Sequence, residues 1–153
     1  MLRGMAADLD PAVATAFIHQ SVPVMARLGL VVEAIEPGFV RLMMPLEPNR
    51  NHVGTMYAGA LFAIAELPGG VLPMSVLGAE FVPIVTHVDI DFLRPVRSDV
   101  RLDARMAPAN LRGLAEQART DGKATFELDL TIVDDAGACV ATAHGFYQLR
   151  PVG

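Results

Sequence analysis

Residues 51–66 read NHVGTMYAGALFAIAE, and they decide the fold of this 153-residue chain. They lead into an apolar segment from Met56 to Ala79, in which Glu66 is the only charge between Arg50 and Glu80. An apolar run of this length is typical of a helix rather than a strand. Because the run is apolar on all sides, we predict that the helix is buried inside the protein.

The same segment is long enough to cross a bilayer, so a membrane span has to be considered. Glu66, Pro68 and Pro73 stand within it, and a charge and two prolines are costly in a membrane span. We therefore predict a core helix, bent or divided at the Pro-Gly-Gly of residues 68–70, and no membrane partner.

The rest of the chain alternates helical and strand patterns. A helix is predicted over Pro11–Leu28, divided near Pro23 and ended by Gly29. In one strand, alternation places Thr86 on the face that looks toward the central helix. The predicted strands are Leu30–Ile35, Phe39–Leu46, Ile84–Leu93, Asp99–Met106, Phe126–Val133 and Ala138–Leu149, with a short surface helix over Pro108–Gly122.

This order of elements predicts an α+β domain. Runs of strands with segregated helices favour a largely antiparallel sheet. One buried helix beside five to six strands indicates a curved sheet wrapped around that helix, with an extra N-terminal helix. We predict a single domain over residues 1–153, made of an N-terminal helical extension at 10–29 and a core at 30–150.

Composition narrows the partners and the location. The formal net charge is −5 with no basic run, which argues against nucleic acid. The apolar fraction of 52% exceeds that of a typical soluble domain, and an oligomer interface would bury the excess. The single cysteine, Cys139, cannot form an internal disulfide, which fits a reduced cytoplasmic location. His87 and His144 show no ligand spacing, so no metal site is predicted.

The start of the central helix offers chemistry. The first amides of a helix have no intrahelical partner and carry the positive end of its dipole, so those of Ala58 and Gly59 can stabilise a developing oxyanion. Glu66 is a carboxylate in an apolar helix, and desolvation should raise its pKa toward neutrality, which suits a general base or acid.

The spacing of these groups limits how they can cooperate. Ala58 and Glu66 are eight residues apart. That separation corresponds to about 12 Å along a helix, too far for both to reach one carbonyl carbon within one subunit. If the two cooperate, Glu66 must meet the helix N-terminus of a second chain. The spacing therefore predicts a symmetric dimer with two composite sites.

The pattern Asn51-x-x-Gly54-Thr55-Met56-Tyr57-Ala58-Gly59, with a carboxylate at position 66, resembles that of the hotdog-fold acyl-CoA thioesterases of the phenylacetyl-CoA thioesterase type. The stretches THVDIDFLRPV at 86–96 and DDAGACVATAHGFYQLR at 134–150 are similar to the strand after the central helix and to the last hairpin of that family. The resemblance implies a hotdog fold, hydrolysis of an acyl thioester such as acyl-CoA, and a homodimer or dimer of dimers. It implies no cofactor beyond the coenzyme A carried by the substrate.

The resemblance also implies roles for single residues. Asn51 orients the attacking water or the thioester carbonyl, the amide of Ala58 with that of Gly59 forms the oxyanion hole, and Glu66 activates water or attacks the thioester directly. Tyr57-Ala58-Gly59 stands where the family commonly has His-Gly-Gly. Val85 stands where it often has Ser or Thr, with Thr86 beside it.

Further candidates for substrate binding lie around this segment. They are His52 in the loop, Tyr57, Met56 as a flexible lining residue, Thr86, and Arg94 as a cation for the CoA phosphates. Two alternatives to hydrolysis stay open: a non-catalytic binder of acyl ligands, and a hotdog dehydratase or hydratase, for which His52 is the only nearby histidine.

Overall fold

The computed structural model describes residues 9–153, which form one six-stranded antiparallel sheet around a central helix. The strand order in the sheet is β1-β2-β4-β5-β6-β3. This arrangement confirms the predicted α+β architecture. The strands are β1 (Val31–Glu36), β2 (Phe39–Met44), β3 (Phe81–Phe92), β4 (Val100–Arg105), β5 (Ala124–Asp134) and β6 (Cys139–Pro151).

Two short helices precede the sheet, as the sequence predicts. Helix α1 (Pro11–Ser21) begins where the Asp10 carboxylate accepts hydrogen bonds from the amides of Ala12 and Val13, at 2.7 and 3.1 Å. Helix α2 (Pro23–Leu28) ends at Gly29, whose φ of 78° is left-handed and favours glycine. Pro23 thus divides the predicted helix, and α1 packs against β1.

The central helix consists of two segments, α3 (Ala58–Glu66) and α4 (Pro68–Leu77). Leu67 joins them in a right-handed helical conformation, so the axis continues through the junction while Pro68 contributes no N–H. The combined 20 residues are long and apolar enough to cross a membrane. An 18-residue stretch of them has a mean hydropathy of 1.7, and 67% of that stretch is buried inside the protein. The helix is therefore a core helix, as predicted.

Helix α5 (Pro108–Asp121) lies beside the central helix and contacts α4, β5 and β6. Its buried positions are Leu111, Ala115 and Ala118, spaced four and three residues apart, which places them on one face. The helix therefore packs one apolar face against the core and presents a polar surface on its other side.

Strand β3 is an edge strand, and its pairing with β6 changes register between Val85 and His87. Val85 lies opposite the buried Tyr147 and shares its face, whereas the Thr86 hydroxyl donates to the Phe146 carbonyl at 3.1 Å. The prediction that Thr86 faces the central helix is therefore wrong. A bulge adds one residue at this point, and the simple alternation of the strand is lost there.

Candidate active site

A cleft of about 380 Å³ opens at the N-terminal end of α3. It brings together four of the predicted site residues, Asn51, Met56, Ala58 and Arg94. The remaining residues that line the cleft were not predicted from the sequence: they are Thr55, Leu61, Phe92, Leu93, Pro95 and Val96. Most of these belong to the end of β3 and the loop after it, which reach the cleft only through the fold.

Asn51 organises the loop that leads into this helix. Its side-chain oxygen accepts hydrogen bonds from the amides of Val53 and Thr55, at 3.0 and 3.1 Å, and its side-chain nitrogen donates to the Thr55 hydroxyl at 2.8 Å. The loop turns at Gly54, whose φ is 82°. Asn51 thereby fixes the path of the chain toward Ala58, and one N–H of its amide is left over for another partner.

The first amides of α3 face the cleft without a protein acceptor. The preceding amides are anchored, since Met56 donates to Val96 at 2.9 Å and Tyr57 donates to Asn49 at 2.7 Å. Within residues 9–153, Ala58 and Gly59 donate no backbone hydrogen bond to a protein group. These two N–H groups are therefore free for an anionic or carbonyl oxygen.

The first residue of α3 differs from that of the other α-helices. Four of the five α-helices in the described part of the chain begin with proline, and only α3 begins with a residue that carries an N–H group. Proline at this position is common because the first amide of a helix has no intrahelical acceptor. Ala58 keeps the amide that the other helices lack.

Glu66 occupies the last residue of α3, where its side chain is partly buried. Burial raises the pKa of this carboxyl above its ordinary value, as the sequence predicts. Within residues 9–153 its carboxylate takes part in no ion pair and no hydrogen bond. A carboxylate without a polar partner in apolar surroundings is poised to take up a proton.

Tyr147 supports the backbone at Glu66, a role that was not predicted from the sequence. Its hydroxyl donates to the carbonyl of Glu66 at 3.2 Å, which the break at Pro68 leaves near the end of a helical segment. The ring is 2% exposed and stacks on Phe126 at 5.2 Å between centroids. Burial and the nearby Glu66 charge raise the pKa of Tyr147 to about 12, so the phenol stays a neutral donor.

Two glycines make room for this ring. A Cβ atom built on Gly69 of α4 or on Gly145 of β6 would collide with the Tyr147 side chain. The ring is therefore clamped between the helix and the sheet, which fixes the height of Glu66 above the sheet.

Three further predicted residues do not line the cleft: Tyr57 and His52 lie in the segment before α3, and Thr86 lies elsewhere on the sheet. Tyr57 is 59% exposed, and its ring lies over the backbone of Gly59, where a side chain would collide with it. His52 is exposed in the loop. Thr86 lies at the bulge of β3, where it borders a different depression on the sheet.

One chain does not bring the free amides and the carboxylate together. They occupy opposite ends of α3, about 12 Å apart along the helix. Ala58, Phe62 and Glu66 are spaced by four residues and follow one stripe of the helix, and Phe62 on this stripe is 42% exposed. Within residues 9–153, no three His, Cys, Asp or Glu side chains are placed to hold a metal ion.

Comparison with known families decides where the chain belongs. A family model described as a domain of unknown function, DUF4442, matches residues 11–146. The chain belongs to this DUF4442 family. The match includes α1 and α2, so the N-terminal helices are part of the family's domain. No curated protein matches the chain.

Solved structures with similar folds include proteins described as thioesterases. A Pseudomonas aeruginosa protein of unknown function, described as a probable thioesterase, is 42% identical with a TM-score of 0.85 over 92% of this chain and 95% of its own. A Chlorobaculum tepidum protein of unknown function is 22% identical with a TM-score of 0.80, covering 92% and 94%. A Haemophilus influenzae thioesterase is 14% identical with a TM-score of 0.72, covering 95% and 94%. The DUF4442 chain thus has the hotdog fold, as the resemblance implied.

Proposed function

We propose that this DUF4442 protein hydrolyses acyl thioesters of coenzyme A at a site shared between two copies of the chain. One observation carries the proposal: Glu66 is partly buried, has a raised pKa and lacks a polar partner within the described residues, on the same helix stripe as the free amide of Ala58. The similarity to a probable thioesterase at 42% identity supports the same reaction class.

The chemistry follows from these two groups. In the water route, Glu66 takes a proton from water while the oxygen adds to the thioester carbonyl carbon. The carbonyl oxygen becomes negative and accepts hydrogen bonds from the amides of Ala58 and Gly59. The tetrahedral intermediate then collapses, the C–S bond breaks, and the leaving thiolate takes up the proton that Glu66 received from water. In the direct route, Glu66 attacks the carbonyl carbon and the C–S bond breaks, which gives an anhydride and a thiolate. Water then cleaves the anhydride, which releases the free acid and the Glu66 carboxylate and supplies the proton that the thiolate takes up.

The exposed edge strand supports a dimer. Within residues 9–153, β3 pairs on one side only, over 12 residues, and its Val85 and Phe92 are 40% and 51% exposed. A long apolar edge of this kind is a template for pairing with another chain. A second copy of β3 would cover both the strand and its apolar side chains.

The order of the elements along β3 shows why such a dimer would complete the site. The Phe92 end of β3 borders the cleft at Ala58, while Val85 lies opposite Tyr147, whose hydroxyl holds the backbone of Glu66. A two-fold axis near the middle of β3 brings the Phe92 end of one copy against the Val85 end of the other. The cleft of one chain then faces Glu66 of a second copy.

Groups around the cleft suit the rest of the substrate. Arg94 is exposed at the rim, where its guanidinium can bind the phosphates of coenzyme A. The unused N–H of the Asn51 amide lies in the same cleft as Ala58 and can bind the carbonyl or the attacking water.

The test is Glu66→Gln, measured by thiol release from acyl-CoAs with two to twelve carbons. We expect kcat/KM to fall on the order of 10²–10⁴-fold, because the amide cannot accept the proton. Glu116→Gln, an exposed position on α5, removes the same charge and should leave the rate unchanged. Equal activity of Glu66→Gln and wild type would refute the assigned role. If the wild type is thermally stabilised by acyl-CoA but releases no thiol, the non-catalytic binder is the correct alternative.

A further inference from the structure

A second cavity, of about 220 Å³, lies between α1, α4 and the start of β3. Its walls include Phe17 and Val22 from the N-terminal helices, Leu67 and Met74 from the central helix, and Phe81 from β3. Ser21 supplies the only polar side chain among its lining residues. A cavity with this lining favours an apolar occupant over water or a charged group.

The cavity begins next to Glu66. Glu66, Gly70 and Met74 follow one another at four-residue spacing and share a face of the central helix, whose axis continues through Leu67. Gly70 and Met74 both line the cavity, and so does Leu67, the residue directly after Glu66.

Gly70 is the residue of this helix face that lines the cavity nearest to Glu66. It has no side chain, and a Cβ atom built there would make an ordinary contact of 3.5 Å with Pro83. A larger side chain at this position would extend into the space between the carboxylate and the cavity. The backbone at Gly70 is helical, so the position accepts other residues without strain.

The shape and volume indicate the class of occupant. Lining residues run from Leu67 to Leu77, which corresponds to about 15 Å of helix, so the cavity is elongated. An apolar cavity of about 150 Å³ can hold one benzene molecule, and by proportion 220 Å³ holds about eight or nine carbons. A straight chain fills an elongated space better than a single ring does.

We propose that this cavity holds the aliphatic acyl chain of the substrate, and that α1 forms the wall that limits its length. The inference rests on the proposed function, because it takes Glu66 as the group that meets the thioester. The carbonyl stays beside Glu66, and the chain passes Gly70 into the cavity of the same subunit. Straight saturated chains that place about eight carbons in the cavity are then the preferred substrates.

The test is the chain-length profile of kcat/KM for butyryl-, hexanoyl-, octanoyl-, decanoyl- and dodecanoyl-CoA. In the wild type, we expect kcat/KM to rise about fourfold for each added methylene until the cavity is full. In Gly70→Leu, the ratio of decanoyl-CoA to butyryl-CoA should fall at least tenfold. Gly113→Leu, on an exposed stretch of α5 with no neighbour within 4 Å, is the matched control and should keep the wild-type profile. Parallel profiles for Gly70→Leu and wild type would overturn the inference.

Two further measurements separate failure of this inference from failure of the proposed function. If Gly70→Leu does not unfold cooperatively, Val22→Phe narrows the same cavity from the junction of α1 and α2, and the same fall in the ratio is required of it. If the wild type hydrolyses no acyl-CoA, the proposed reaction is wrong, and the cavity is tested by thermal stabilisation with octanoyl-CoA against coenzyme A. A larger shift for wild type than for Gly70→Leu supports the cavity, and equal shifts exclude it. A preference for phenylacetyl-CoA over octanoyl-CoA would also exclude the straight chain.

Discussion

The two ends of α3 differ in what holds them and in what they offer. At the N-terminal end, Asn51 and Thr55 organise an open loop through polar contacts, and the amide of Ala58 faces a cleft. At the C-terminal end, Glu66 lies in apolar surroundings above a clamped Tyr147 ring. One end offers free hydrogen-bond donors and the other a carboxylate with a raised pKa, and the length of the helix keeps them apart.

This difference shows that each end of α3 suits a different part of the proposed reaction. Free amides need an open approach, whereas a carboxylate gains a raised pKa only where water is sparse. A single position on one helix cannot provide both conditions. In the proposed dimer, the open end of one copy would meet the C-terminal end of α3 in the other, and the experiments below test that division.

After Glu66→Gln, the largest effect is expected from removing the amide of Ala58. Ala58→Pro deletes this N–H while keeping a residue that suits the first position of a helix, and Tyr57 before it has the extended conformation that proline requires. We expect kcat/KM to fall on the order of 10²–10³-fold. Ala107→Pro, at an exposed position with φ of −53°, controls for the substitution.

Mixing Ala58→Pro with Glu66→Gln tests whether two chains share the site. In a mixed dimer, one site receives Ala58 from one chain and Glu66 from the other, so it is intact. Random mixing should therefore restore about a quarter of the wild-type activity, because half of the dimers are mixed and each has one intact site. No recovery would place both groups in the site of a single chain.

The next effect concerns β3, the edge strand proposed to join the two copies. Val85 and Phe92 share the inner face of β3, one near its middle and the other at its end. Val85→Lys combined with Phe92→Lys therefore places like charges near each other across a two-fold axis. We expect a monomer in sedimentation experiments and at least a tenfold loss of thiol release. Val13→Lys with Val24→Lys, at positions 53% and 51% exposed on α1 and α2, should stay dimeric. A dimeric, active edge variant would move the interface elsewhere.

A smaller effect is expected from the support beneath Glu66. Tyr147→Phe removes the hydrogen bond to the Glu66 carbonyl, and we expect the free energy of unfolding to fall by about 1 kcal/mol. Denaturant titration measures this change. Tyr57→Phe, at the other tyrosine, is the control and should be neutral because that side chain is exposed. Equal stability of the two variants would show that Tyr147 supports Glu66 by packing alone.

The pH dependence of stability gives the subtlest distinction between the two ends. Burial raises the folded-state pKa of Glu66, so between its ordinary pKa near 4.3 and the raised value the folded protein binds more protons than the unfolded chain. This group therefore lowers stability as pH rises through that window. Glu66→Gln should flatten this slope in denaturant titrations from about pH 4 to pH 8. A slope identical to that of wild type would mean that Glu66 is solvated in the folded state.

The fold could be predicted from the sequence because its decisive signals are local. The apolar run at 56–79 and the alternation in the strands depend on neighbours in the chain, and Pro23 and Gly29 mark helix boundaries by their own backbone geometry. The unpaired amide of Ala58 and the desolvation of Glu66 could be predicted from the same local signals.

What was missed depends on contacts between distant segments. The bulge that turns Thr86 away arises from pairing with β6 and leaves no mark in the periodicity of β3. In the sequence, Tyr147 cannot be distinguished from the other inward-facing residues of the last strand. Its hydrogen bond to the Glu66 carbonyl joins residues 81 positions apart. The cavity behind Gly70 needs α1 folded over α4, which no pattern in either helix specifies.

The ring of Tyr147 links Gly145, two residues away on β6, with Gly69, which is far away in the chain on α4. A side chain added at either glycine would collide with the ring, whereas a smaller residue at 147 would leave a void that either addition could fill. The three positions are therefore epistatic: substitutions harmful singly become tolerable in combination. Evolutionary drift in this part of the core has to proceed through compensating pairs, and any replacement of the tyrosine also releases the backbone beneath Glu66.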